Sequence, residues 1–171
     1  MIDEFLEFAD PLERAALGSL RAPEIYPPLP PLSRDHVVLR LLRFEGLGAY
    51  TVWVVARSAS NCVLRRLIWD RSRTYELGAV EPLMFGSDAE YDVSSLERHL
   101  EALQQMVLPP FIPAESIGTD GVNFGVEYGS IWRAARLYWW SKPPQQWRAL
   151  GAWFEATVDD FDAMLPSHRL R

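Results

Sequence analysis

Apolar residues along this chain alternate in some stretches, recur every three to four positions in others, and give way to proline between them. Those periods divide the chain into elements. Asp10-Pro11-Leu12-Glu13 opens a helix: Asp is an N-cap, Pro suits the first helical position, and Glu follows three residues after the cap. The helix is expected to run to about Leu20. Pro23, Pro27, Pro28, Pro30 and Pro31 then remove backbone donors and fix φ, so residues 22–33 are expected to be an extended surface connector. Three strands follow, at His36 to Phe44, Tyr50 to Arg57 and Cys62 to Trp69. The breaks between them, Glu45-Gly46-Leu47-Gly48 and Ser58-Ala59-Ser60-Asn61, have hairpin length and composition. The second strand is apolar on both faces, with Val52 and Val54 against Trp53 and Val55, and is expected to be central.

Residues 74 to 92 show no clear period. Ser94 and Glu97 have capping-box spacing, with Asp92 and Ser95 as rival caps, and the helix they open carries Leu96, Leu100, Leu103 and Val107 on one face. Pro109-Pro110 should end it. Val122, Phe124, Val126 and Tyr128 then alternate with Asn123, Gly125 and Glu127, as a half-buried strand does. Gly129 turns the chain into a longer strand from Ile131 to Trp140. Ser141-Lys142-Pro143-Pro144 leads into a last helix whose apolar face is Trp147, Leu150, Phe154, Val158, Phe161 and Leu165, stopped by Pro166. Strands in runs, with helices outside those runs, predict a single α+β domain over residues 1–171. Its sheet is expected to be antiparallel, of about five strands, three in the first run and two in the second, with helices packed on one face.

The composition is that of a folded chain. Hydrophobic residues make up 49% of the 171 and charged residues 23%, and seven Trp, eight Phe and six Tyr supply large buried areas. Cys62 stands alone, so no internal disulfide forms and an oxidising compartment is not needed. The chain begins Met1-Ile2-Asp3-Glu4, with acids where a secretory signal carries bases, and no stretch approaches the roughly 18 to 20 apolar residues of a membrane span. A cytosolic location is expected. The net charge of −6 disfavours nucleic acid as a partner, because an acidic chain repels phosphate backbones.

Catalytic and metal chemistry find little footing. Cys62 opens a strand, where it reads as a small buried hydrophobe, and only His36, His99 and His168 could activate it. The chain has no nucleophile elbow, phosphate loop or dinucleotide turn. Its histidines and cysteine lack zinc-site spacing. Asp88-x-Glu90-x-Asp92 begins like a calcium loop, but Val93 and His99 stand where that loop needs glycine and glutamate. No catalytic residue, cofactor or metal is expected. Four strand arginines, Arg65, Arg66, Arg133 and Arg136, could face an anionic ligand or pair with sheet acids. Trp139 to Trp147 could be an aromatic platform, although a strand-to-helix corner accounts for each of its features. On the last helix Glu155, Asp159 and Asp162 lie at i, i+4 and i+7, expected opposite the apolar face, with Asp160 adjacent, late in the helix where carboxylates oppose the macrodipole. These three, with Asp88, Glu90 and Asp92, are the candidate partner-binding residues.

The back half contains Asp120-Gly121-Val122-Asn123-Phe124, then Arg136-Leu137-Tyr138-Trp139-Trp140, then Pro143-Pro144-Gln145-Gln146-Trp147. This succession resembles mostly uncharacterised small bacterial proteins that look like immunity or accessory proteins of toxin systems. The resemblance covers the last third of the chain and carries no active-site residue. It implies a non-enzymatic protein-binding module, an immunity protein neutralising a cognate toxin, and an acidic surface would suit a basic toxin. A binder of small anionic ligands, or an enzyme of unrecognised type, is the first alternative. A homo-oligomeric structural protein is the second.

Overall fold

A computed structural model of the chain describes residues 2, 9–58, 61–109, 121–130 and 133–166. Helix α1, Pro11–Arg21, starts as its sequence requires: the Asp10 carboxylate accepts from the Glu13 N–H at 2.8 Å. Strands β1 (Val37–Glu45), β2 (Ala49–Arg57) and β3 (Cys62–Asp70) follow the connector. A short helix α2 (Arg71–Glu76) leads to β4 (Met84–Tyr91) and then α3 (Val93–Gln104). Strands β5 (Val122–Ser130) and β6 (Arg133–Trp140) precede a 3-10 turn at Gln145–Trp147 and the final helix α4, Arg148–Met164.

The strands form one six-stranded antiparallel sheet in the order β4-β3-β2-β1-β5-β6, so the molecule is an α+β fold. β2 is interior, as its composition implies, and its residues from Tyr50 to Ala56 are all buried. The sixth strand, β4, comes from the stretch without a clear period. Its pleat puts Gly86 and Asp88 on one face and Ser87, Ala89 and Tyr91 towards the other. Polar Ser87 and Asp88 interrupt any apolar alternation because Asp88 answers a buried arginine on β3 rather than solvent.

Helices cover both faces of the sheet, not one. Leu39, Leu41, Trp53, Val55 and Leu64 point towards α3 and α4, and Leu42, Phe44, Val52, Val54 and Leu67 point towards α1. Since central strands are apolar at odd and even positions alike, each face needs a cover. The proline-rich connector completes the cover on the α1 face. It lies close to β4, where a Cβ on Gly86 would sit 2.9 Å from both the Tyr26 ring and the Leu29 side chain and would push them outward.

The last helix docks as its period predicts: Leu150, Phe154, Val158 and Phe161 are at most 2% exposed, with Trp147 and Leu165 also buried. α3 differs from its sequence reading at both ends. Asp92, rather than Ser94, is the cap, accepting from the Ser95 N–H at 2.7 Å, while Glu97 reaches across to Arg57 at 2.8 Å. The helix stops at Gln104, and Val107 is 95% exposed instead of sharing the apolar face. Ala59, Ser60, Pro110, Asp120, Ile131 and His168, and the acids of the first residues, lie outside the described residues.

Candidate functional site

Two of the strand arginines, Arg65 and Arg66, are structural. Adjacent on β3, Arg65 and Arg66 point to opposite faces. Arg65 is fully buried on the connector side and spends all five of its N–H donors there. Nε and Nη2 hold Asp88 at 2.7 Å each, Nη1 donates to the Pro23 and Glu24 carbonyls at 2.9 and 3.2 Å, and Nη2 also donates to the Pro30 carbonyl. It thus ties the connector to the sheet and has no donor left for a ligand. Buried Glu24 reinforces the tie through Arg34 at 2.7 Å and Arg40 at 3.2 Å. Arg66, under the helical layer, donates to Asp162 at 2.8 Å and to the Pro166 carbonyl at 2.6 Å. Arg136 is largely exposed, 4.0 Å from Glu127, and Arg133 opens β6 with its side chain outside the description. Arg65, Arg66 and Arg136 do not converge.

The six candidate carboxylates divide in the same way. Asp88 is taken by Arg65 and Asp92 by the start of α3, whose N–H groups hold its carboxyl below the usual range. Glu155 is paired with Arg43, and Asp162 accepts from both Trp53 Nε1 and Arg66 at 2.8 Å. These two flank the buried face of α4 instead of standing opposite it. Glu90 and Asp159 are exposed and form no ion pair among the described residues. Asp160, adjacent to the stripe, accepts from the Tyr91 hydroxyl at 2.5 Å and lies 3.0 Å from His99 Nε2. The His99 hydrogen bond, then that of Tyr91, holds the Asp160 carboxyl below its ordinary range, and burial and the same carboxylate push the Tyr91 phenol up. His99 Nδ1 lies 3.2 Å from Thr157 Oγ1, and the Trp153 indole donates to the His99 carbonyl at 3.0 Å. The cluster clamps α3 and α4 onto β4.

Cys62 is fully buried, and burial pushes its thiol up, away from the reactive thiolate. Among the described residues no three or more His, Cys, Asp and Glu side chains are placed to hold a metal ion. No described helix is long and apolar enough to cross a membrane.

The aromatic corner is a wall as well as a turn. Trp139 lies under α4, stacked on Phe124 at 5.3 Å with Phe154 edge-on at 5.5 Å, while Trp140 turns to the other face against Gly121. Ser141 then takes φ 56°, the one positive value at a non-glycine among the described residues, and its N–H donates to the Val122 carbonyl at 2.7 Å. This places Lys142 and Pro143 opposite Glu155. Between them and the rings of Phe124 and Trp139 is a cavity of about 340 Å³. Sequence reading singled out the Trp139–Trp147 wall, and Glu155 only as part of an acidic stripe, but not Phe124 or Arg43. Those join it only through the β1–β5 pairing and the docking of α4, which no local period encodes.

Fold and site together define a class: an antiparallel, six-stranded α+β protein with an apolar core on each face. No family model matches the sequence, and no curated protein or solved structure is significantly similar to it.

Proposed function

We propose that this chain is a non-enzymatic protein-binding module that offers an acidic surface to a basic partner, as an immunity protein does to its toxin. The observation that carries the reading is where the charge goes. Arg40, Arg43, Arg57, Arg65, Arg66 and Arg71 are each held by a carboxylate of the chain itself. Exposed Glu90, Asp92, Glu101 and Asp159 are left with no such partner among the described residues. Glu101 and Asp159 belong to the two helices that cover one face, which also expose Arg98 and Arg148, so the negative potential is that of the chain's net charge of −6 as a whole. Such a surface speeds encounter with a cationic protein. The resemblance of the Asp120–Trp147 sequence to immunity-type proteins supports the same reading.

The test is binding and rescue with the product of the neighbouring gene. Co-expression should protect cells from that product, and titration calorimetry should give a complex whose association slows as salt rises. Asp159→Lys combined with Glu101→Lys should slow association about tenfold or more at low salt while leaving the fold intact. A neighbouring product that is harmless and unbound, or binding indifferent to salt and to both reversals, overturns the proposal.

A further inference from the structure

We infer that two copies of this chain pair through their β6 edges, two-fold about Leu137, and so join their sheets into one. The inference is independent of the protein-binding reading. β6 ends the sheet and pairs with β5 alone among the described strands. The Ser141 N–H donates to the Val122 carbonyl at 2.7 Å, so along this antiparallel ladder the odd positions of β6 bond to β5 and the even ones face away. The backbone groups of Ala134, Arg136, Tyr138 and Trp140 thus form an outward row with no backbone partner among the described residues.

Folded proteins blunt such edges with short strands, prolines, bulges or charge. β6 has eight residues, no proline and no register shift against β5. Ala135 and Arg136 are exposed, and Tyr138 and Trp140 are half-buried. The other edge is guarded: β4 carries Asp88 and Glu90, and two β4 strands side by side would bring these acids together.

Self-complementarity names the occupant. A two-fold pair opposes position i to j and j to i, and outward groups must meet outward groups. Centred on Leu137, the pairing uses the whole outward row, with its ends, Ala134 and Trp140, opposite each other. It sets Arg136 opposite Tyr138 of the second copy, Ala135 opposite Trp139 and Leu137 opposite itself. Cation meets ring, small meets large, and no like charges stand directly opposed. Arg136 is available for this, since its nearest carboxylate, Glu127, is 4.0 Å away and already serves Arg40 and Tyr138. Centring on Arg136 would set the two guanidinia face to face, and centring on Tyr138 would leave Ala134 without a strand opposite it.

The test uses the full chain in sedimentation velocity and hydrogen exchange across concentration. The mass should move from 19.6 kDa towards twice that value as protein rises to roughly half-millimolar. The amides of Arg136, Tyr138 and Trp140, fast in the dilute monomer, should slow in step. Arg136→Pro removes an outward donor at an edge position that proline tolerates, and should hold the mass at the monomer value with circular dichroism retained. Cysteines report the register independently, because the native Cys62 is buried. Leu137 would face its copy across a pair without ladder bonds, about 4.5 Å apart at Cα and within disulfide reach. Leu137→Cys should therefore cross-link two chains on mild oxidation. Ala135→Cys, whose copies would lie about 13 Å apart along the strands, should not. The proposal fails if the chain stays monomeric at that concentration, or if the dimer survives Arg136→Pro. It also fails if Leu137→Cys does not cross-link, if Ala135→Cys does so equally, or if Glu90→Cys on the β4 edge does so in its place.

Discussion

Neighbouring carboxylates on α4 look alike in sequence and have different tasks in the fold. Asp159 is exposed and unpaired, whereas Asp162 serves two inward donors, the Trp53 indole and Arg66. Asp159→Lys should leave stability within about 0.5 kcal/mol of wild type, as surface changes away from special features do. Asp162→Lys should cost about 1–3 kcal/mol, because it sets a like charge beside a nearly buried guanidinium and strands the indole donor. Urea unfolding of the two variants checks the contrast. Asp160 gives a pH signature. Its carboxyl is depressed by His99 and Tyr91, so its contribution is complete above the ordinary carboxylate value of 3.8 and is lost as pH falls through the depressed one. Asp160→Asn should therefore melt below wild type at pH 6, with the gap closing as the pH is lowered past that region. A gap that stays constant with pH would show that the contacts act without the charge.

At the level of elements, what was legible depended on whether local chemistry or a distant partner fixed the structure. Asp10-Pro11 sets the start of α1, and the alternation from Val122 to Tyr128 sets β5, because caps and pleats act over a few residues. β4 was hidden because Asp88 points inward to Arg65, so the strand's inner positions are not all apolar. The two-sided helical cover was hidden because nothing in α1 states which face it will meet. The cavity was half legible: the turn from Trp139 to Pro143 announces a corner, but its opposite wall arrives with α4. Arg65 shows how strong such a distant constraint is. Arg65→Met should destabilise by about 3–5 kcal/mol, since it leaves Asp88 and three connector carbonyls without their donor. Limited proteolysis should then cut within residues 22–33 well before the rest. Phe154→Ala should cost about 3–5 kcal/mol through the cavity it opens under α4, with no change in the connector's protease resistance.

For the whole molecule, the sheet order sets a gradient of stability and a schedule of assembly. β1 and β2 are paired on both sides and covered on both faces, whereas β4 and β6 are edges. Native-state hydrogen exchange should find the slowest amides in β1 and β2 and the fastest of the sheet in β4 and β6. The same order has a consequence during synthesis. β2 follows β1 directly, but β1's other neighbour is β5, so Glu45 waits for Val122 and Leu39 for Tyr128. At about 5–20 residues per second, the ribosome takes roughly 4 to 15 seconds to deliver that neighbour. For that interval the nascent chain carries a hydrophobic strand with one open side, and α4, which roofs it, emerges later still. Slow codons between β4 and β5 would lengthen this window and with it the exposure of β1.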